Sequence, residues 1–199
     1  LALTVGGTVA LLPIFSPPDL MQAIERLKPT GLFAAPAHIA ACLGAGLFDR
    51  HDASSLRMAI LSGSPVQPKM AQAFAKKLPD TVIIQLWGMT ETQAGLYTRP
   101  DDPIEVAARC AGRSSPGTQA RISDADGTEL PWGEEGELQV CGCHLFPGYF
   151  KNEEANHNAF TSDGWFRTGD LATMDSDGNV SITGRIKDII NRGGIKYNP

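Results

Sequence analysis

Thr81-Val82-Ile83-Ile84-Gln85-Leu86-Trp87-Gly88-Met89-Thr90-Glu91-Thr92 is the stretch from which the fold is read. Residues 81–84 are β-branched and apolar, as a buried parallel strand requires. Gly88 breaks the run, and Thr90 and Glu91 set a hydroxyl and a carboxylate just beyond the strand's carboxyl end. Ligands of open α/β sheets bind along that edge. There a hydroxyl donates to a phosphate oxygen, and a carboxylate holds Mg²⁺, a hard cation that takes oxygen ligands. Trp87 offers a flat face on which a base stacks. The same residues also fit a plain helix start, because Thr90 and Gln93 have capping-box spacing.

Upstream of this stretch, strand and helix patterns alternate. Residues 8–12 read as a strand, and Ser16 with Pro17 and Pro18 opens a helix whose apolar face is Leu20, Ile24 and Leu27. A short strand at 32–35 ends at Pro36, and His38 opens the next helix, which runs from Ile39 to about Gly44. A third strand at 58–61 is broken by Ser62-Gly63-Ser64-Pro65. Pro68 then starts a helix on which Met70, Phe74 and Leu78 recur every four residues. The strand at 82–86 completes a strand, helix, strand unit, which is almost always a right-handed parallel crossover. The loops at 62–65 and 88–91 therefore emerge at one sheet edge and form a crevice suited to a nucleotide.

From Leu96 onward the pattern changes. Residues 99–103 read as a surface loop, and after the Gly112–Gly117 stretch helical periodicity gives way to short strands at 118–123, 137–141, 166–174 and 179–183. A short surface helix is expected at 152–159. Asp124-Ala125-Asp126-Gly127 and Asp175-Ser176-Asp177-Gly178 resemble calcium loops but lack the closing glutamate, and read better as hairpin turns. The expected fold class is an α/β part over 1–110 followed by a small β-rich subdomain over 111–184. In the second part, Gly169 lets the backbone approach a ligand and Asp170 can accept both hydroxyls of a ribose. Residues 184–194 mix cations with a glycine pair, and read equally as a flexible connector or a phosphate-handling loop.

Composition narrows the class. The 199 residues carry a net charge of −5, against a nucleic-acid binder that relies on phosphate neutralisation. No apolar run is long enough to span a membrane. Residues 1–15 lack a basic leader, are broken by Gly6, Gly7 and Pro13, and are read as the end of one core strand and the whole of the next rather than a signal peptide. The four cysteines show no disulfide framework, which fits a reducing cytoplasm. Cys141 and Cys143 fall on one face of an expected strand and His144 on the other, so a zinc site is not expected. The chain has no initiator Met and stops within a motif, and reads as a fragment.

Taken in order, these segments resemble the adenylate-forming superfamily of acyl-CoA synthetases, carrier-loading adenylation domains and firefly-type luciferases. The 59–65 stretch, ending Ser62-Gly63-Ser64-Pro65, is similar to the family's loop against the adenine and the acyl pocket. Gln85-Leu86-Trp87-Gly88-Met89-Thr90-Glu91 resembles its nucleotide motif, which implies Thr90 on the α-phosphate and Glu91 on Mg²⁺. Most members place Tyr or Phe where Trp87 stands. Gly136-Glu137-Leu138 with Gly148-Tyr149-Phe150 resembles a structural motif of the β subdomain. Thr168-Gly169-Asp170 resembles the ribose motif, joined by Arg185. The resemblance makes Lys187 and Asp188 the hinge to a small C-terminal domain, so that 185–199 hold the hinge and the start of that domain. It sets Gly193 and Gly194 along the coenzyme A tunnel. Pro36-Ala37-His38 resembles the motif bordering the substrate carboxylate, although His38 also reads as a helix-start histidine with no role.

The phosphate loop and the adenylating lysine of the family are absent from the sequence, and Lys187 and Lys196 do not occupy that lysine's motif. The implied function is part of an ATP-dependent carboxylic acid–CoA ligase, an AMP-forming acid-thiol ligase of the cytoplasm, inactive in this form alone. Its implied ligands are ATP and AMP, Mg²⁺, coenzyme A and a small carboxylic acid. A carrier-loading adenylation domain and a nucleotide-binding module without chemistry remain as alternatives.

Overall fold

The computed structural model describes residues 3–186, 190–192 and 195–197. Ser16 starts the first helix, α1 (Pro17–Leu27): its Oγ accepts the Asp19 N–H at 3.2 Å, where prolines cost no helical hydrogen bond. The face that α1 buries is Leu20, Met21 and Ile24, with Leu27 half exposed. It packs on Cys42, Leu47 and Leu56.

β1 (Gly31–Ala34), α2 (Pro36–Gly44), β2 (Met58–Ser62), α3 (Pro68–Lys77) and β3 (Val82–Trp87) come next along the chain. β1, β2 and β3 are parallel neighbours, with Ala59 opposite Ile83 and Ser62 opposite Leu86. Ile39 of α2 and Met70, Ala71 and Phe74 of α3 close over Ala59, Leu61 and Ile83, forming the first core. Two short strands, β4 (Leu96–Tyr97) and β5 (Arg113–Ser114), extend this sheet, β4 pairing antiparallel with β3 and β5 with β4. Between them lies the one-turn helix α4 (Ile104–Ala107). A two-residue strand has no readable period, so the sequence pattern predicts none of these three elements.

The second sheet is antiparallel, in the order β6 (Thr118–Ser123), β7 (Gly136–Gly142), β8 (Phe166–Met174) and β9 (Val180–Arg185). The helix α5 (Glu153–Ala159), capped by the Asn152 side chain, precedes β8. Ile122, Leu138, Val140, Phe166 and Val180 form its core. The Asp175 carboxylate accepts the N–H groups of Asp177 and Asn179 and shapes the turn from β8 to β9, as the hairpin reading expects. The two sheets are tied where the Ala111 N–H donates to the Val180 carbonyl at 2.7 Å and the Val180 N–H to the Gly112 carbonyl at 2.9 Å. A last antiparallel pair joins β10 (Ile190–Arg192) to β11 (Ile195–Tyr197).

The structure corrects four expectations. Residues 8–12 form no strand and are exposed, because no described strand lies beside them to complete a ladder. Of the two readings of Thr90 the helix start fails, since no helix begins there and the chain turns instead. α2 begins at Pro36, two residues before His38, because proline fits a first helical turn. β7 ends at Gly142, so Cys143 lies past the strand rather than on one face with Cys141. No helix among the described residues is long and apolar enough to cross a membrane.

Candidate nucleotide-binding cleft

The carboxyl ends of β1, β2 and β3 open into a cleft of about 870 Å³. His38, the loop Ser62-Gly63-Ser64-Pro65 and the run Gln85-Leu86-Trp87-Gly88-Met89 line one side, and Asp170 and Arg185 of the second sheet line the other. The structure thus gathers most of the expected site residues around one space. Thr90 and Glu91 are not on the cleft wall. They lie beyond Met89, with Thr90 exposed and Glu91 half buried. Lys187, Asp188, Gly193 and Gly194 lie outside the described residues.

The loop after β3 owes its shape to Gly88 and Thr92. A Cβ on Gly88 would lie 1.8 Å from the Gln93 carbonyl oxygen, so only glycine lets the chain fold back over itself here. The buried Thr92 accepts the Met89 N–H on Oγ1 at 3.1 Å and returns its own N–H to the Met89 carbonyl at 3.1 Å. Thr92, not Thr90, is therefore the residue that closes the turn. The loop is tied to the second half by the Phe146 N–H on the Glu91 carbonyl at 3.0 Å and the Tyr149 hydroxyl on Glu91 Oε1 at 3.0 Å. Burial and the adjoining Glu91 push the Tyr149 phenol up, so it stays a donor.

Asp170 reaches the cleft through a bulge. Between the pairs Glu137–Leu171 and Gln139–Arg167, the three residues Thr168, Gly169 and Asp170 stand opposite Leu138 alone. Gly169 adopts φ +70°, and no atom approaches its Cβ position within 4 Å, so backbone conformation rather than close contact requires glycine. Side chains stitch the bulge. Thr168 Oγ1 donates to the Leu138 carbonyl at 2.7 Å and accepts the Asp170 N–H at 3.1 Å, while the Gly169 N–H donates to Glu137 Oε1 at 3.3 Å. Asp170 is 3% exposed. Arg185, its partner across the β8–β9 ladder, donates from Nε to Oδ1 at 2.5 Å, and Trp87 donates from Nε1 to Oδ2 at 2.9 Å.

His38 lies in the first turn of α2. Its Nδ1 accepts the Ala35 N–H at 3.3 Å, which leaves the ring proton on Nε2, and its ring stacks on Phe15 with centroids 4.0 Å apart. Burial lowers its pKa, so the neutral form prevails at neutral pH. Gln85 holds its backbone on Thr98, and its buried side-chain oxygen has no partner among the described residues.

One wall has no signature in the sequence. The stretch from Ala107 to Ala111 closes the cleft opposite β3, as do Ile182 and Thr183. Burial pushes the Cys110 thiol up, so it serves as protonated, apolar lining. Mostly small apart from Arg109 and Ile182, these residues carry no motif in the sequence. Ala108 packs into the first core, and the hydrogen bonds of Ala111 and Gly112 with Val180 tie the stretch to the second sheet.

Relatives share this architecture. The family model described as AMP-binding enzyme matches residues 1–150. The 2,3-dihydroxybenzoate-AMP ligase of Bacillus subtilis is 36% identical over 96% of this chain, which covers 35% of that protein. The mitochondrial medium-chain acyl-CoA ligase of Macaca fascicularis is 32% identical over 100% of this chain and 33% of its own length. The amide bond synthetase McbA from Marinactinospora thermotolerans superposes with a TM-score of 0.91 at 33% identity, over 98% of this chain and 40% of its own. The chain spans about a third of the length of the curated relatives it matches. On the family match and the shared fold, this chain belongs to the AMP-binding enzyme family.

Proposed function

We propose that this chain is the adenosine- and acid-binding part of an ATP-dependent carboxylic acid–CoA ligase of the cytoplasm. The observation that carries the reading is the buried Asp170, set by a bulge at the mouth of a cleft between the β2 and β3 loops and held by Arg185 and Trp87. A carboxylate in that position suits a ribose, and the Trp87 face beside it suits a base. In this reading residues 1–110 and 111–184 are the two parts of the nucleotide-binding domain. Residues 185–199 begin the next, with Lys187 and Asp188 as the hinge and Gly193 and Gly194 along the thiol acceptor's path.

The substrate carboxylate attacks the α-phosphorus of ATP, forming the acyl–AMP bond as the bond to pyrophosphate breaks. The Ser62–Pro65 loop and Gln85–Met89 orient the adenosine and the acid. Asp170 and Arg185 hold the ribose. Thr90 donates to the α-phosphate oxygens, where charge develops. His38, neutral with its proton on Nε2, offers the incoming carboxylate a donor. Glu91 fits a hard cation, since Oε1 takes the Tyr149 hydroxyl while Oε2 makes no hydrogen bond among the described residues. Magnesium bound there would neutralise charge on the departing pyrophosphate. Coenzyme A thiol then attacks the acyl carbon and releases AMP.

The relatives' names differ in the product formed, one naming an AMP ligase, one a CoA ligase and one an amide synthetase. A carrier-protein thiol as acceptor is the second reading, favoured by a relative from Mycobacterium tuberculosis named salicyl-AMP ligase / salicyl-S-ArCP synthetase. AMP release from ATP by the complete reading frame, over a panel of carboxylic acids with and without coenzyme A, tests the proposal. Acid-dependent release that requires coenzyme A is expected. Acid-dependent pyrophosphate exchange without coenzyme A turnover would move the reading to a carrier-loading enzyme. If Glu91→Ala formed acyl-AMP at the wild-type rate, the metal assignment would fall.

A further inference from the structure

We propose that Trp87 is a positioning residue for nucleotide recognition: its indole N–H fixes the Asp170 carboxylate in the orientation that takes the two ribose hydroxyls, while its ring face remains for the base. The proposal rests on the reading of the cleft as an AMP site, and adds a role to Trp87 beyond stacking.

Trp87 ends β3 in the first sheet and Asp170 sits in the β8 bulge of the second, so their hydrogen bond of 2.9 Å crosses between the two sheets. Arg185 approaches the same carboxylate from its own sheet, on the other oxygen. With one donor on each oxygen, the plane of the carboxylate is set from two sides. An ionised carboxylate has about four acceptor sites, so one remains on each oxygen. Two remaining sites match two vicinal hydroxyls. Without the Trp87 donor, rotation about the last side-chain bond would be opposed by Arg185 alone.

The indole is itself held. It packs against the core of the second sheet, and a Cβ on Gly95 would lie 2.7 Å from its Cζ3 and 3.1 Å from its Cε3. Gly95 thus leaves room for the ring to seat with its N–H directed at Asp170. Donation lies in the ring plane, so it does not compete with stacking on a face. Phenylalanine would keep an aromatic face and lose the donor.

The test is the affinity of the complete reading frame for AMP and for its dideoxy analogue lacking both ribose hydroxyls, in wild type, Trp87→Phe, Asp170→Asn and the double variant. Lost stacking weakens both ligands alike, whereas a misplaced carboxylate weakens AMP alone. Trp87→Phe is expected to lower the AMP preference on the order of tenfold, as for a hydrogen bond to a charged group. In the Asp170→Asn background it should change both ligands by the same factor, because coupled residues are non-additive. An AMP preference unchanged in Trp87→Phe, with Asp170→Asn alone abolishing it, overturns the proposal and leaves the ribose reading standing. A wild-type preference in Asp170→Asn overturns the ribose reading and the proposal with it. Should Trp87→Phe fail to fold, Gly95→Ala keeps the indole but displaces it, and the same two outcomes decide.

Discussion

His38 illustrates how little of a side chain's state is contained in its identity. At a helix start it reads either as a carboxylate neighbour or as a bystander. In the structure the Ala35 N–H fixes its tautomer, and burial beside Phe15 favours the neutral ring. Its folded pKa lies below the ordinary 6.5, so the folded state binds fewer protons than the unfolded chain as pH falls past that value. The contribution of His38 to stability is therefore fully present above 6.5 and is lost as pH drops through the folded pKa. An NMR titration of the imidazole should give a midpoint below 6.5 and an Nε2–H tautomer. A midpoint at or above that value would show that the ring is not buried as described. Thr92 makes the complementary point, because two threonines stand within the loop motif and only the contacts reveal that the second closes the turn.

Among the elements, the β8 bulge decides whether there is a site at all. Burial alternates through Thr168, Gly169 and Asp170 as in a regular strand, with Thr168 and Asp170 turned inward. The bulge offsets Asp170 against β7, and Thr168 is its fastener. Thr168→Val keeps the volume but strips the Leu138 carbonyl and the Asp170 N–H of a shared partner. Urea unfolding should show a loss of about 1–3 kcal/mol, and AMP affinity should fall with it. Ser16→Ala is the contrasting case. It removes the α1 cap, costs about 1 kcal/mol, and should leave AMP affinity unchanged, since α1 packs on a core away from the cleft. Equal effects of the two variants on AMP binding would mean that the bulge is not what sets Asp170.

At the scale of the molecule, the cleft belongs to both sheets, with Trp87 and Met89 packing from the first onto the core of the second and Trp87 bonded to Asp170. A ligand bound there stabilises both together. AMP at a hundredfold of its Kd should add about 2.7 kcal/mol to the unfolding free energy, seen in calorimetry as the upward shift of one cooperative transition. Two transitions, with AMP moving only one, would show that the sheets fold as separate units. The sequence determined the parallel β1–β2–β3 layer, because short apolar runs alternate with helical segments, and it determined the four long strands of the second sheet and the two Asp-Gly turns. It also marked the polar residues at the strand ends, since Gly, Ser, Thr, Glu and Asp interrupt apolar patterns there. Tertiary structure decided the rest. Short β4, β5 and α4 carry too few residues for a period, the 8–12 segment has strand character but no ladder partner among the described residues, and the wall from Ala107 to Ala111 has no sequence motif. The bond from Trp87 to Asp170 joins residues 83 positions apart and forms only where the two sheets meet. Local pattern fixes which surface each element buries, but which side chains face one another across a cleft depends on how the buried surfaces close.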